Sequence, residues 1–354
     1  MKKEINPEDF ASCPLPISSH DTIQLAHGSG GKIMNDLVQK LFLWAFDNNE
    51  LNRQDDNAVI KINGNRFTFT TDSFVVDPIF FPDSDIGELA VNGTINDISI
   101  GGAVPLYLSV GLIIEEGFPL EDLRKIVVSI KNAAHRAGIS VVTGDTKVVN
   151  KGKGDKIFIN TSGIGVIKHN FKIGPEYIKP GDMIIINGGI AEHGIAVLSK
   201  REGLTFETTV ISDTAPLNDL IAKIVETGAE SVHAMRDPTR GGVAATLNEF
   251  AASSNVGIRI IEDKIPVKEP VRGACEILGF DPLYVANEGK LVVVASKEKA
   301  DAVLNAMRGH PLGKEAAIIG DVISESPGMV SMQTGIGGWR IIDMPVGEQL
   351  PRIC

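Results

Sequence analysis

Apolar positions recur along this chain with two different periods, arranged in alternating blocks. Over residues 33–46, Leu37, Leu41 and Trp44 fall at i, i+4 and i+7, an apolar stripe that predicts a helix. Two short runs follow at 59–62 and 66–71. In the second, Phe67, Phe69 and Thr71 alternate with Thr68, Thr70 and Asp72, the period of a strand whose polar face carries Asp72. Residues 85–97 read as a helix stopped by Gly101-Gly102. Residues 120–137 read as a clearer one, with Leu123, Ile126, Val127, Ile130, Ala134 and Ala137 on one face and Gly138 at its end. The β-branched run 139–143 predicts a buried strand, 151–155 a charged glycine hairpin and 157–167 a further strand. Residues 174–181, with Pro175 and Pro180, mark a domain boundary. Beyond it a second α/β half is predicted, with strands at 183–186 and 291–295 and helices at 217–227, 243–253 and 297–307. From 344 to 354 neither period is present, and this stretch reads as a flexible tail.

Length and composition narrow the classes. A chain of 354 residues predicts about two domains with sizeable cores. A net charge of −11 without a dense basic cluster excludes nucleic acid as a partner, and it implies that a polyphosphate ligand needs a metal ion to screen it. Cys13, Cys275 and Cys354 are too few and too scattered for a zinc site or a disulfide framework. No stretch has the length of a membrane span or a signal peptide, so a cytoplasmic protein is expected.

Several polar clusters stand at the ends of predicted elements. His27-Gly28-Ser29-Gly30-Gly31-Lys32 precedes the first helix, an anion-binding design that reads equally as a flexible turn. It is not a Walker A loop, since Ala26 and Ile33 occupy positions that need Gly and Ser/Thr. Asp55, Asp56, Asp72, Asp97 and Asp145 all lie at element ends, which jointly favours a metal–phosphate site. Asp145, Thr146 and Lys147 follow a predicted buried strand, where α/β sheets usually place ligands. Glu88, Asn92, Asn96 and Ser99 form a polar stripe that is either solvated or ligand-facing. Arg236-Asp237-Pro238-Thr239-Arg240-Gly241-Gly242 is a second anion-binding helix start, and Glu288 sits in a turn that could supply an acid/base carboxylate. Cys354 ends the chain on a tether that, fully extended, reaches about 30 Å.

Residues 27–32, 70–74, 92–97, 142–147 and 236–242, with the terminal Pro351-Arg352-Ile353-Cys354, occur in this order and together resemble the HypE family of hydrogenase expression/formation proteins. The resemblance covers residue 24 to the C-terminus. Each internal motif also resembles the wider PurM-like ATP-binding superfamily; the terminal cysteine separates HypE from it. The resemblance implies an α/β (α+β), two-domain PurM-like fold. Residues 1–47 would form an arm and glycine-rich nucleotide loop with its helix, 48–173 an ATP-binding and dimerising domain, 174–343 a C-terminal α/β domain and 344–354 the tail. It implies that a HypF-like carbamoyltransferase loads Cys354, that ATP with Mg2+ drives dehydration of the thiocarboxamide to a thiocyanate, and that a HypC–HypD complex receives the cyano group. In the roles it suggests, Asp55, Asp72, Asp97 and Asp145 hold the metal. Gly28, Gly30, Gly31, Lys32, Asp56, Asp72, Asn92, Asn96, Thr146 and Asp237 bind nucleotide. Lys147, Arg236 and Arg240 stabilise phosphoryl charge, and Glu288 serves as base. On the residues, a PurM-like synthetase or kinase for a free small substrate, and a non-catalytic assembly scaffold, remain alternatives.

Overall fold

The structure, a computed structural model, describes residues 22–204, 208–347 and 350–354. Cys13 and nearly all of the N-terminal arm lie outside the described residues. The predicted first helix is present as α1 (Lys32–Leu37) and α2 (Leu43–Phe46), joined by a π-helical turn, Val38–Phe42.

The N-terminal sheet contains β1 (Ala58–Ile62) and β2 (Asn65–Phe74), followed by a minor ribbon, β3 (Phe80–Phe81) with β4 (Ser84–Asp85). Helix α3 (Ile86–Ser99), strand β5 (Ala103–Glu115), helix α4 (Leu120–Arg136), β6 (Ser140–Val149) and β7 (Ile157–Ile167) complete it. Its order is β1-β2-β7-β5-β6, with β6 parallel to β5 and β7 antiparallel to it. The turn at 151–155 is therefore not a hairpin, because β5 lies between the strands it connects. Helices α3 and α4 cover one face of the sheet. Asp85 caps α3 by accepting from Gly87 N–H at 2.7 Å, and Pro119 precedes α4.

The second half holds β8 (Met183–Ile186), α5 (Glu192–Arg201), α6 (Asn218–Gly228), β9 (Val232–Arg236), α7 (Gly242–Ser254) and β10 (Gly257–Ile261). It continues with α8 (Glu269–Leu278), β11 (Val292–Ala295), α9 (Lys297–Arg308), β12 (Ala317–Ile323), β13 (Val330–Gln333) and β14 (Trp339–Ile341). The strand order is β14-β13-β10-β12-β8-β11-β9. Helices cover both faces. Ile184 and Ile186 pack toward α7, whereas Ile185 packs toward α6 and α9. Burial on both sides explains why β8 and β11 read as unbroken apolar runs rather than alternating ones.

Helix α3 is buried on nearly every side, which is why its polar stripe does not face water. Asn96 joins the two halves: its Oδ1 accepts from Leu217 N–H at 2.8 Å, and its Nδ2 donates to Ala215 O and Glu288 O at 3.2 and 3.3 Å. Both ends of a side chain expected to face nucleotide are thus engaged by protein. Asn96→Ala should leave those backbone groups unpaired and destabilise the ligand-free protein by about 2–4 kcal/mol, read as a lower urea midpoint. An unchanged midpoint would mean that the amide serves a ligand alone.

Candidate active site

Between the halves lies a cavity of about 190 Å3, lined by Asp56, Thr70, Thr71, Asp72, Gly93, Asp97, Asp237, Thr239, Arg240, Glu288 and Cys354. Residues from six separate stretches of sequence meet here. Asp56 precedes β1, Thr70 and Asp72 stand on the helix-covered side of β2, and Asp97 ends α3. Asp237 and Arg240 come from the turn into α7. That turn needs glycine, because Gly241 and Gly242 have φ of +77° and +61°. A Cβ on Gly242 would also lie 2.5 Å from Leu283 O.

Crowding decides the protonation of these acids. Burial, reinforced by Asp237, Asp56 and Asp72, pushes Asp97 well above the usual carboxylate range. Thr70 Oγ1 lies 2.9 Å from Asp56 O and 3.2 Å from Asp97 Oδ2, and its hydroxyl, when donated to Asp97, opposes the rise. Burial, with repulsion from Asp56, raises Asp237 to about 8. Burial also raises Asp56 to about 6, although the Arg236 guanidinium opposes the shift. Asp72 is raised by burial and eased by Arg240. Glu288, 2 % exposed, is raised well above its ordinary value by burial and by Asp237 and Asp72. Asp237 Oδ2 and Glu288 Oε1 are buried and meet no hydrogen-bond partner among the described residues.

Some expected site residues are placed elsewhere. Arg236 is buried under a network: Nε to Asp56 Oδ2 at 3.2 Å, Nη1 to Glu249 Oε2 at 2.5 Å and Nη2 to Asp55 Oδ1 at 3.3 Å, with its guanidinium over the Phe250 ring. Asp55 is held by Arg236 and Arg53 rather than opening on the cavity.

Asp145 and Lys147 lie inside β6, an exposed edge strand, and not beyond a buried one. Register explains the difference. Asp145 pairs with Gly111, Gly111 with Asn160, and Asn160 with Ser73, so Asp145 shares a face with Ser73. Side chains alternate along a strand, so Asp72 points the other way. Asp145 instead forms an exposed ion pair with Lys147 at 2.6 Å, which holds its carboxyl below the usual range. Thr146 faces opposite to Asp145 and is exposed at the sheet edge. The expected metal set of Asp55, Asp72, Asp97 and Asp145 is accordingly not assembled within one chain. Among the described residues, no three His, Cys, Asp or Glu side chains form a metal-holding group.

The glycine loop packs against the chain end. Lys32 N–H donates to Pro345 O at 2.8 Å, and a Cβ on Gly31 would come within 2.4 Å of that oxygen. Arg240 Nη1 donates to Gly28 O at 2.8 Å, and Gly30 lies against the Arg240 backbone. Asn92 donates to Thr214 Oγ1 at 3.2 Å.

The expected free tether is docked. Val75 N–H donates to Cys354 O and Asp77 N–H to Arg352 O, both at 3.1 Å, continuing the line of β2. Leu350 and Ile353 are buried, and Arg352 bonds Asp155 and, at 2.9 Å, Val75 O. Cys275 is buried and its thiol is pushed up to about 11, mainly by desolvation, which leaves it protonated and inert. Sequence reasoning missed Asp213, whose Oδ1 accepts from Glu288 N–H at 3.1 Å, and the residues that grip the tail. No motif marks them, because they bind main-chain groups of distant segments.

Two family descriptions match the chain: AIR synthase related protein, N-terminal domain, over residues 54–167, and its C-terminal domain over residues 179–331. Carbamoyl dehydratase HypE of Rhizobium leguminosarum bv. viciae is 53% identical over 332 residues, covering 94% of this chain and 95% of that protein. A solved HypE–HypF complex contains a chain 51% identical with a TM-score of 0.83, covering 87% of this chain and 99% of that one. A solved HypE in complex with ATP is 47% identical with a TM-score of 0.80, covering 94% and 100%.

The raised carboxyls have a consequence for stability. A folded state that binds protons above the ordinary carboxylate value of 3.8 is most favoured at low pH, and loses that contribution as pH rises through about 6 for Asp56 and about 8 for Asp237. The ligand-free protein should therefore melt at progressively lower temperature across that window. Asp237→Asn, which fixes the uncharged form, should flatten the upper part. A melting temperature that rises with pH there would contradict this protonation pattern.

Proposed function

The chain belongs to the HypE family of carbamoyl dehydratases, and from that premise we propose that it dehydrates an S-carbamoyl group on its own Cys354 to a thiocyanate, using ATP. The observation that carries this reading is the position of Cys354, which lines the same cavity as Asp56, Asp72, Asp97, Asp237 and Glu288. An enzyme for a free small substrate has no use for its own cysteine in that place, and a scaffold has no use for crowded carboxyls.

The chemistry follows from the leaving group. An amide oxygen leaves poorly until it is phosphorylated; transfer of the terminal phosphoryl group of ATP to that oxygen, with loss of one N–H proton, gives an S-bound iminophosphate and ADP. Loss of the second N–H proton as phosphate departs gives the C≡N bond. Glu288 supplies the base: its Oε1 has no partner among the described residues, and a carboxyl with a raised pKa is a strong acceptor once ionised. Arg240 stands exposed at the cavity and offers positive charge to the transferred group. Asp72, Asp97 and Asp237, supported by Asp56, fit a hard divalent cation, because the orphaned Asp237 Oδ2 is an oxygen ligand in waiting. Mg2+ suits the set, since it is commonly held by one or two carboxylates, here drawn from these acids, together with phosphate oxygens and water. When bound, that ion supplies neutralising charge for the phosphates. Arg236 orders Asp55 and Asp56 from beneath. Loading of the thiol by a HypF-like carbamoyltransferase, and transfer onward to a HypC–HypD acceptor, complete the proposed cycle.

Intact mass measures the reaction directly. Carbamoylated protein should lose one water after Mg-ATP is added, Cys354→Ala should be inert, and residues appended after Cys354 should slow the loss strongly. Retention of the carbamoyl mass in the wild type would overturn the reading.

A second copy of this chain completes the proposal. The uncovered face of the N-terminal sheet exposes Ile60, Ile62, Phe69, Tyr107 and Ile113 beside Asp145 and Lys147. An apolar sheet face of this kind calls for a partner, and pairing with a second copy would bring Asp145 and Lys147 to a subunit interface. Light scattering should report a homodimer at micromolar concentration, and Phe69→Glu with Tyr107→Glu should split it. A wild-type monomer would refute the pairing.

A further inference from the structure

A chain end that carries a reacting thiol must be held at one depth, because a slip of one residue moves the sulfur by about 3.3 Å. The grip on this tail comes from helix α5. Arg201 donates through Nη1 to Pro351 O and through Nη2 to Arg352 O, each at 2.6 Å, while its Nε donates to Asp77 O at 2.7 Å. The same planar fork therefore binds both the tail and the segment on which the tail lies.

Two turns earlier on α5, fully buried His193 contacts Ile353 O through Nε2 at 2.9 Å and Ser212 Oγ through Nδ1 at 2.8 Å. A carbonyl can only accept, so Nε2 carries the hydrogen. Nδ1 then accepts from the Ser212 hydroxyl, whose oxygen in turn accepts from Thr214 N–H at 3.2 Å. Burial lowers the imidazole's pKa and keeps this neutral form. With Val75 N–H on Cys354 O and Asp77 N–H on Arg352 O, a main-chain oxygen of each of the four residues 351–354 receives a donor.

We propose that Arg201 and His193 are positioning residues of a tail clamp, which reads main-chain carbonyls and so fixes the depth of the Cys354 sulfur in the carboxylate cavity. Main-chain recognition leaves the clamp indifferent to what the sulfur carries, so the same grip serves thiol, thiocarboxamide and thiocyanate. Release of the clamp frees the tail for the carbamoyl donor. The clamp deepens the tethered-carrier reading and rests on it for its purpose, but its existence is testable without ATP.

Alkylation of Cys354 by iodoacetamide in the uncarbamoylated full-length protein, located by peptide mass, reads the undocked population; buried Cys275 is the internal reference. Loss of charge-assisted bonds in Arg201→Ala, or of the imidazole donor in His193→Ala, should raise that rate about tenfold. Arg201→Lys, which can reach one carbonyl, should fall between. In carbamoylated protein the same variants should lose water with ATP about tenfold more slowly, while the donor partner loads the thiol no more slowly than in the wild type. A general loss of structure cannot produce that opposition, because it would also expose Cys275. Unchanged Cys354 alkylation in both Ala variants, with Cys275 still protected, overturns the clamp whatever the ATP reaction does. Should the Ala variants unfold, Arg201→Lys decides: faster Cys354 alkylation supports the clamp and the wild-type rate overturns it. A wild type that keeps its water with ATP overturns the dehydratase reading and leaves the alkylation result standing.

Discussion

Carboxylates do not gather in a protein interior unless something offsets their repulsion, and at the seam between these two halves that is the Arg236 guanidinium. Its three nitrogens meet Asp55, Asp56 and Glu249 from one buried point, and the Phe250 ring lies against it. A lysine could not do this, since a planar fork addresses several acceptors at fixed angles. Isolated buried ion pairs contribute little to stability. Here the pairing fixes geometry: it anchors Asp56 at the rim and leaves Asp72, Asp97, Asp237 and Glu288 without a full cationic counterpart. That deficit holds protons in the cavity and makes it receptive to a cation that arrives with phosphate.

Tethering answers the remaining problem of how the reacting sulfur reaches such a place. A thiol on the protein's own chain meets its site at an effective concentration on the order of millimolar. Concentration alone does not orient a reacting group, and orientation is worth far more. The tail obtains it from main-chain bonds that continue the line of β2 and from donors on α5. Pairing by backbone explains how a segment rich in Pro and Gly, with no apolar period, can still be held in one register.

The two-period pattern and the motifs determined much of this protein in advance. Strands at 59–62, 66–71, 157–167 and 183–186, and the helices starting near 120, 217, 243 and 297, are set by local periodicity, caps and glycine stops, and they stand where the pattern placed them. The two-domain PurM-like class and the family were carried by ordered motifs, and Asp56, Asp72, Asp97, Asp237, Arg240, Glu288 and Cys354 do line one cavity. Tertiary structure alone decided which acids meet. Register parity turned Asp145 away from Asp72, since neighbouring residues on a strand face opposite sides and pairing partners are not written locally. Burial between the halves turned the α3 amide of Asn96 from a candidate ligand contact into a fastener. Arg201 and His193, the latter oriented by Ser212, took hold of the tail by its carbonyls, and main-chain groups are the same in every residue, so no sequence pattern can announce what will bind them.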